Sequence, residues 1–360
     1  MRTVTLNNVS NMLFTVETEF AKIPVIDCHM HVTSIRDVDN VLEIVSEAGF
    51  HRASLLSIID DKRVNFNPEV LLLKALHPEM FYAFGSLDYS FIFTGSQLQQ
   101  LREQVDRLLS IGFDGVKMVE GKPVYRKLLK IRFDDPFYED YFARLEETGF
   151  PLLFHVADPE EFWDPEKVPV WAKAQGWFYD QTYPSKEQFY KEVETVLDKH
   201  PRLKVVFAHF YFLSANMEAA SSFLEKHRNA HLDLTPGIEM YRNFSMEKEA
   251  WREFFVKYGD RILFGTDIFG GERIESALAK VQLVRGFLET DEGLNLPRHT
   301  LEKIYCSNFQ RIVGPKPRRL SFNLVVEECE RLALEEARLS SQPLEETVAR
   351  LVAGKIRSLS

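Results

Sequence analysis

The chain has 360 residues, 45% of them hydrophobic, and a formal net charge of -10. That is apolar material for one large core or two modest ones, and the acidity argues against a nucleic-acid backbone as the main partner. Three widely separated cysteines make no disulfide framework and fit a reducing compartment. The opening stretch MRTVTLNNVSNMLFTVETEF lacks a basic region followed by a long apolar run, and no segment reaches the roughly 18 apolar residues of a membrane span. The expectation is a soluble, cytoplasmic protein with no membrane partner.

The first element is VIDCHMHV, from residue 25. In an extended chain residues two apart share a face, so Asp27, His29 and His31 are expected on one side and Ile26, Cys28 and Met30 on the other. Seven further apolar runs follow: RASLLSII from 52, FYAFGSLD from 81, GVKMVE from 115, PLLFHVAD from 151, KVVFAHF from 204, HLDLTPG from 231 and ILFGTDIF from 262. Near-continuous apolar runs of this length suit parallel strands buried on both faces. Helical patterns lie between them. DDPFYEDYFARLEETG offers Asp135 as N-cap, Pro136 at the first helical position and Gly149 at the end. SKEQFYKEVETVLDKHP opens with Ser185 and Gln188 as a capping box, and SMEKEAWREFFVKYGD is expected to start at Ser245. Eight strand-helix units predict an α/β fold, a (β/α)8 TIM barrel over residues 1–314, with a doubly wound open sheet as the alternative.

Between the fifth and sixth strands the spacing widens. The excess is residues 159–185, PEEFWDPEKVPVWAKAQGWFYDQTYPS, rich in tryptophan and tyrosine. In a barrel this segment follows a strand and sits on the catalytic face. It reads either as a minidomain packed on itself or as a pocket wall, in which case Trp163 is a candidate substrate contact. Residues 315–360 form an extension with two amphipathic helical patterns, suited to covering the barrel or to pairing with a second copy as a homodimer.

The polar residues inside the apolar strands cluster by position. His29 and His31 end the first strand, His155 the fifth, His209 the sixth and Asp267 the eighth. All would meet at the C-terminal face of a barrel, where such folds place their chemistry. Imidazoles with one carboxylate suit one divalent ion, Zn²⁺ first, with Mn²⁺ or Fe²⁺ as alternatives. Lys117 is expected to face inward, to bind a substrate carboxylate or to pair with Asp267 or Glu120. Asp27 is expected deeper, in a supporting role. Lys62, Arg63 and Lys122 lie on loops of the same face, and with Trp163 they suggest a pocket for a small anionic, cyclic or aromatic substrate.

The stretches IDCHMH, GVKM, FHV, FAHF, LFGTD and NFQRIVG, in this order, resemble the amidohydrolase superfamily over roughly residues 23–314, and within it the amidohydrolase-related group. That group holds aromatic-acid decarboxylases, lactone hydrolases and hydratases. The resemblance implies His29, His31, His155 and Asp267 as ligands of a single metal. It implies His209 as the histidine that holds metal-bound water or substrate, with Asp267 as proton carrier. Some superfamily members carry a carboxylated lysine where Lys117 stands, bridging two metals; substrate binding or ion pairing is preferred here. The expected reaction is hydrolysis of a lactone, ester or amide by a metal-activated water. The alternative is non-oxidative, metal-dependent decarboxylation of an aromatic or muconate-type acid.

Overall fold

A computed structural model describes residues 20–60, 64–95, 100–237 and 239–359. The apolar runs form one parallel sheet: β1 (Ile26–His31), β2 (Arg52–Leu56), β3 (Phe81–Gly85), β4 (Gly115–Gly121), β5 (Leu152–Val156), β6 (Val205–Phe207), β7 (Ala230–Asp233), β8 (Ile262–Leu263) and β9 (Ile268–Phe269). Each strand pairs with the next in sequence from β1 to β8, and β9 pairs with β1. β8 and β9 are the two halves of the predicted eighth strand. Across the break, Cys28 N donates to Phe264 O at 3.0 Å and Asp267 N donates to His29 O at 2.9 Å. Backbone hydrogen bonds therefore close the ring, as expected of a (β/α)8 barrel.

Two departures from regular strands shape its mouth. Asp267 breaks the eighth strand with φ of 56°, a left-handed conformation uncommon outside glycine. The sixth strand ends at Phe207 and not after His209; His209, Phe210, Tyr211 and Phe212 follow with φ of 55°, 55°, 54° and 49°. Each such residue costs about 1–2 kcal/mol relative to the right-handed region. His209 is thus placed by a left-handed turn and not by strand alternation.

The barrel interior is filled by Ile26, Cys28, Leu56, Tyr82, Phe84, Leu153, Val206 and Leu263. Gly115 has no side chain because the Phe84 ring occupies the space a Cβ would need. The alternating partners Val25, Met30, Leu55, Ala83, Met118, Phe154 and Phe207 face outward into the larger core beneath the helices. Strict alternation fails in β1, where the pairing with β2 shifts register between Asp27 and Met30. Ile26 and Cys28 share the interior as alternation expects, but after the bulge Met30 faces outward, so His29 and His31 turn to the inner side at the mouth.

Helix starts follow the local signals in part. Ser185 accepts from Gln188 N and begins the helix Lys186–Lys199. Asp135 caps a short 3-10 turn that leads into the helix Glu139–Thr148, closed by Gly149 with φ of 63°. Ser245 caps nothing: it lies inside the helix Met240–Met246 and its hydroxyl donates back to Tyr241 O. The extension forms the helices Phe322–Ser340 and Val348–Leu359, which pack on each other, the second against the helix Asn67–Leu76 and the first against the helices Ser90–Thr94 and Leu101–Ile111. Among the described residues no helix is long and apolar enough to cross a membrane.

Candidate metal centre

β1 and the break before β9 bring three donor groups together. His29 Nε2 lies 3.1 Å from His31 Nε2, and Asp267 Oδ1 lies 3.6 Å from the first and 3.3 Å from the second. The far side of each ring is held. His29 Nδ1 meets Asp233 Oδ2 at 2.8 Å, and His31 Nδ1 meets the carbonyl oxygen of Leu56 at 3.2 Å. A carbonyl oxygen and an ionised carboxylate only accept, so each Nδ1 carries the proton and each Nε2 presents a lone pair. Two imidazole lone pairs and a carboxylate then face one point, beside which the Lys117 ammonium stands 3.3 Å from His29 Nε2. Such a convergence of lone pairs is stable around a cation, and the N, N, O donor set fits zinc, manganese or iron.

The electrostatics agree. Burial lowers the histidines below their ordinary range, with Lys117 contributing: His29 well below it, His31 moderately, His155 and His209 to about 4. All four are neutral at pH 7, the form that binds metal. Burial opposes ionisation of Asp267, and with the His29 and His31 rings neutral the charge that favours its carboxylate form is the Lys117 ammonium, which Asp267 in turn helps to hold. Its side chain is 29% exposed, so it looks both to the histidines and to the mouth.

Lys117 faces inward as expected, 1% exposed, with Nζ 3.3 Å from His29 Nε2. Burial pushes its ammonium down to about 8, against the pull of Asp233 and Asp267. His209 and His155 extend the cluster: ring centroids are 5.8 Å apart for His29 and His209, and 4.9 Å for His155 and His209. His209 Nδ1 is buried with no protein partner, and the His209 backbone N donates to Asp233 Oδ1 at 2.8 Å. His155 stands at the end of β5 with its Nε2 engaged by Asp158 Oδ1 at 3.2 Å, and it lies outside the close group formed by His29, His31 and Asp267. Asp27 lies apart, accepting from Thr266 Oγ1 at 2.5 Å and from His29 N at 3.0 Å, a brace between β1 and the eighth strand.

Other predicted contacts are spoken for or lie elsewhere. Lys122 Nζ binds both oxygens of Asp158 at 3.0 Å and covers the Trp177 ring at 4.0 Å. Trp163 packs on Tyr179 at 4.8 Å and donates to Pro184 O at 3.1 Å, inside the aromatic cluster of the 159–185 segment. Arg63 and Lys62 fall outside the described residues. Asp233 and Asp158, which hold the rings of His29 and His155, do not stand out in the sequence; each is a carboxylate in or just after an apolar strand, which is the available signal. A second group, Glu194, Asp198 and His227, is also spaced for a metal, but Lys226 Nζ already sits between its carboxylates.

The family model for amidohydrolases matches residues 26–314. The chain belongs to the amidohydrolase family. No curated protein matches. Among solved structures, 2,6-dihydroxybenzoate decarboxylase from Rhizobium is similar at 16% identity and a TM-score of 0.53, covering 81% of this chain and 98% of that one. Dihydroxybenzoic acid decarboxylase from Polaromonas sp. JS666, solved with manganese and the inhibitor 2-nitroresorcinol, is similar at 16% identity and a TM-score of 0.50, covering 81% and 97%. 4-Oxalomesaconate hydratase from Rhodopseudomonas palustris is similar at 13% identity and a TM-score of 0.51, covering 81% and 96%. At these identities the likeness is one of fold, and it places this family member among barrels of the same architecture.

Proposed function

We propose that this amidohydrolase-family chain is a metal-dependent, non-oxidative decarboxylase of a small aromatic carboxylic acid. The observation that carries the reading is the convergence of the bare His29 and His31 nitrogens and Asp267 beside a buried Lys117, in a barrel similar to two dihydroxybenzoate decarboxylases. His29, His31, His155 and Asp267 would hold one divalent ion, which when bound supplies a Lewis acid for the substrate's oxygens. Lys117 adds a second positive charge for the substrate carboxylate or an adjacent phenolate. Asp267, ionised and open to the mouth, is the base able to take a proton from a substrate hydroxyl or from water at the mouth and then deliver it to the ring carbon, with His209, whose Nδ1 is unpartnered, as the second group able to relay it. In the balanced reaction the bond from ring to carboxylate breaks, carbon dioxide leaves, the electron pair stays on the ring carbon and one proton takes its place.

Hydrolysis, the reaction expected from the sequence, is the second reading, since Asp267 and His209 also suit the attack of water. The relatives weigh toward decarboxylation. The test is a panel of hydroxybenzoates, lactones, esters and amides incubated with metal-loaded protein and read by mass spectrometry. Loss of carbon dioxide from a hydroxybenzoate with the ring intact is the expected result. Addition of water to a lactone, ester or amide, with every hydroxybenzoate untouched, would overturn it.

A further inference from the structure

His155 does not stand alone at the end of β5. Ala157, two residues on, has φ of 64°, and its backbone N donates to Gly121 O at 2.9 Å. That left-handed turn, rare for alanine, folds the chain back so that Asp158 returns to the His155 ring. The Asp158 carboxylate is 2% exposed and fully engaged. Oδ1 receives His155 Nε2 at 3.2 Å and Lys122 Nζ at 3.0 Å, and Oδ2 receives Lys122 Nζ at 3.0 Å and the Tyr179 hydroxyl at 2.5 Å.

Tyr179 belongs to the aromatic segment of residues 159–185. That segment packs on itself through Phe162, Trp163, Trp171, Trp177 and Tyr179, so the minidomain reading holds. It is also fastened to the loop after β4. Lys122 covers Trp177, and Lys127 covers the Tyr183 ring at 3.9 Å while donating to Thr182 Oγ1 at 2.8 Å. Among these ties, the Tyr179 hydroxyl reaches the metal centre through one carboxylate and one imidazole.

We propose that Asp158 and Tyr179 are positioning residues for the metal: Asp158 fixes the His155 ring with Nδ1 free for the ion, and Tyr179 anchors the 159–185 segment to that carboxylate, so that metal affinity and the order of the segment are coupled. The inference rests on the reading of His155 as a ligand. A carboxylate behind a metal-bound histidine sets its tautomer and orientation, and its loss typically weakens metal binding about 10- to 100-fold. Coupling is reciprocal, so an ion bound through His155 should in turn steady the segment.

The test uses the full chain, stripped of metal and titrated with Mn²⁺ or Zn²⁺, in the wild type and in Asp158→Asn, Tyr179→Phe and His155→Ala. Three readouts are taken: ion affinity by chelator competition, hydrogen exchange of peptides within 159–185, and the His155 tautomer by imidazole ¹⁵N NMR. In the wild type, His155 should carry its proton on Nε2 before metal is added, and the ion should slow exchange across the segment. Tyr179→Phe, which keeps the ring and its packing, should weaken the ion several-fold and abolish that slowing. Asp158→Asn should weaken it about 10- to 100-fold and change the His155 tautomer signal. If His155→Ala binds the ion as the wild type does, the ligand reading falls. If His155→Ala loses the ion while Tyr179→Phe and Asp158→Asn keep full affinity and unchanged exchange, the ligand reading stands and the positioning proposal is overturned.

Discussion

At the scale of the residue, the proposed metal site is held by groups behind its donors. Asp233 is the clearest case, because one buried carboxylate serves three donors. It accepts from His29 Nδ1 at 2.8 Å, from the His209 backbone at 2.8 Å and from the Thr235 backbone at 3.1 Å. It therefore sets the tautomer of His29 and anchors the left-handed turn that carries His209. Replacing Asp233 with Asn keeps the volume but offers a weaker, half-donor group, so metal affinity should fall about 10- to 100-fold. Chelator competition on the purified variant measures this, and an affinity equal to wild type would remove Asp233 from the centre. His29, His31 and Asp267 were legible in the sequence because each interrupts an apolar run near its end. Asp233 also interrupts one, but its meaning comes from a partner 204 positions away. Asp158 is hidden for a different reason: a left-handed alanine returns it to His155, and no local pattern announces such a turn.

Elements show where periodicity reads well and where it stops. All eight predicted strands exist, and Lys117 faces inward because β4 alternates over Val116 and Met118. Alternation misplaces Met30, expected on the face of Ile26 and Cys28, because a bulge in β1 changes the count by one. It misplaces the base of His209 because β6 ends two residues earlier. The helices behind the sheet are joined by polar ties that can be tested by pH. Glu194 on the helix Lys186–Lys199 receives His227 Nε2 at 3.0 Å, at the end of the helix Met217–Lys226. Its carboxyl is held down to about 2, first by the hydrogen bond from His227, then by Lys226, with burial opposing. A carboxyl lowered by folding stabilises the folded chain above its unfolded pKa, near 4.5, and that contribution is lost as pH falls through the folded value. The wild type should therefore lose more thermal stability than Glu194→Gln between about pH 5 and pH 2, with the two melting curves converging at the acid end. A gap between them that stays constant over this range would show that the charge of Glu194 contributes nothing. The pair is partly exposed, so the effect should be modest and should shrink in high salt.

The whole molecule explains why residues so far apart in sequence can act together. Closing the sheet through the broken eighth strand brings β1, β4, β5 and β7 to one ring; the ends of β1, β5 and β7 deliver His29, His155 and Asp233 to a single mouth, and Lys117 reaches it from lower in β4, level with Leu153. The interior below that mouth is packed with Leu56, Phe84, Leu153 and Val206, so the chemistry has one open end. This architecture was readable from the strand-helix rhythm, whereas the chemistry was only half readable: a donor set of histidines and one carboxylate serves hydrolysis and decarboxylation alike. In the proposed reaction His29, His31 and Asp267 hold one divalent ion on which loss of carbon dioxide depends. The most direct measurement is a titration of the metal-stripped chain with Mn²⁺, following bound ion by electron paramagnetic resonance and carbon dioxide released from a dihydroxybenzoate in the same samples. One ion should bind per chain, carbon dioxide release should rise in proportion to it, and both should be lost in His29→Ala. Full release from the stripped chain, or ion binding in His29→Ala equal to that of the wild type, would contradict the proposal.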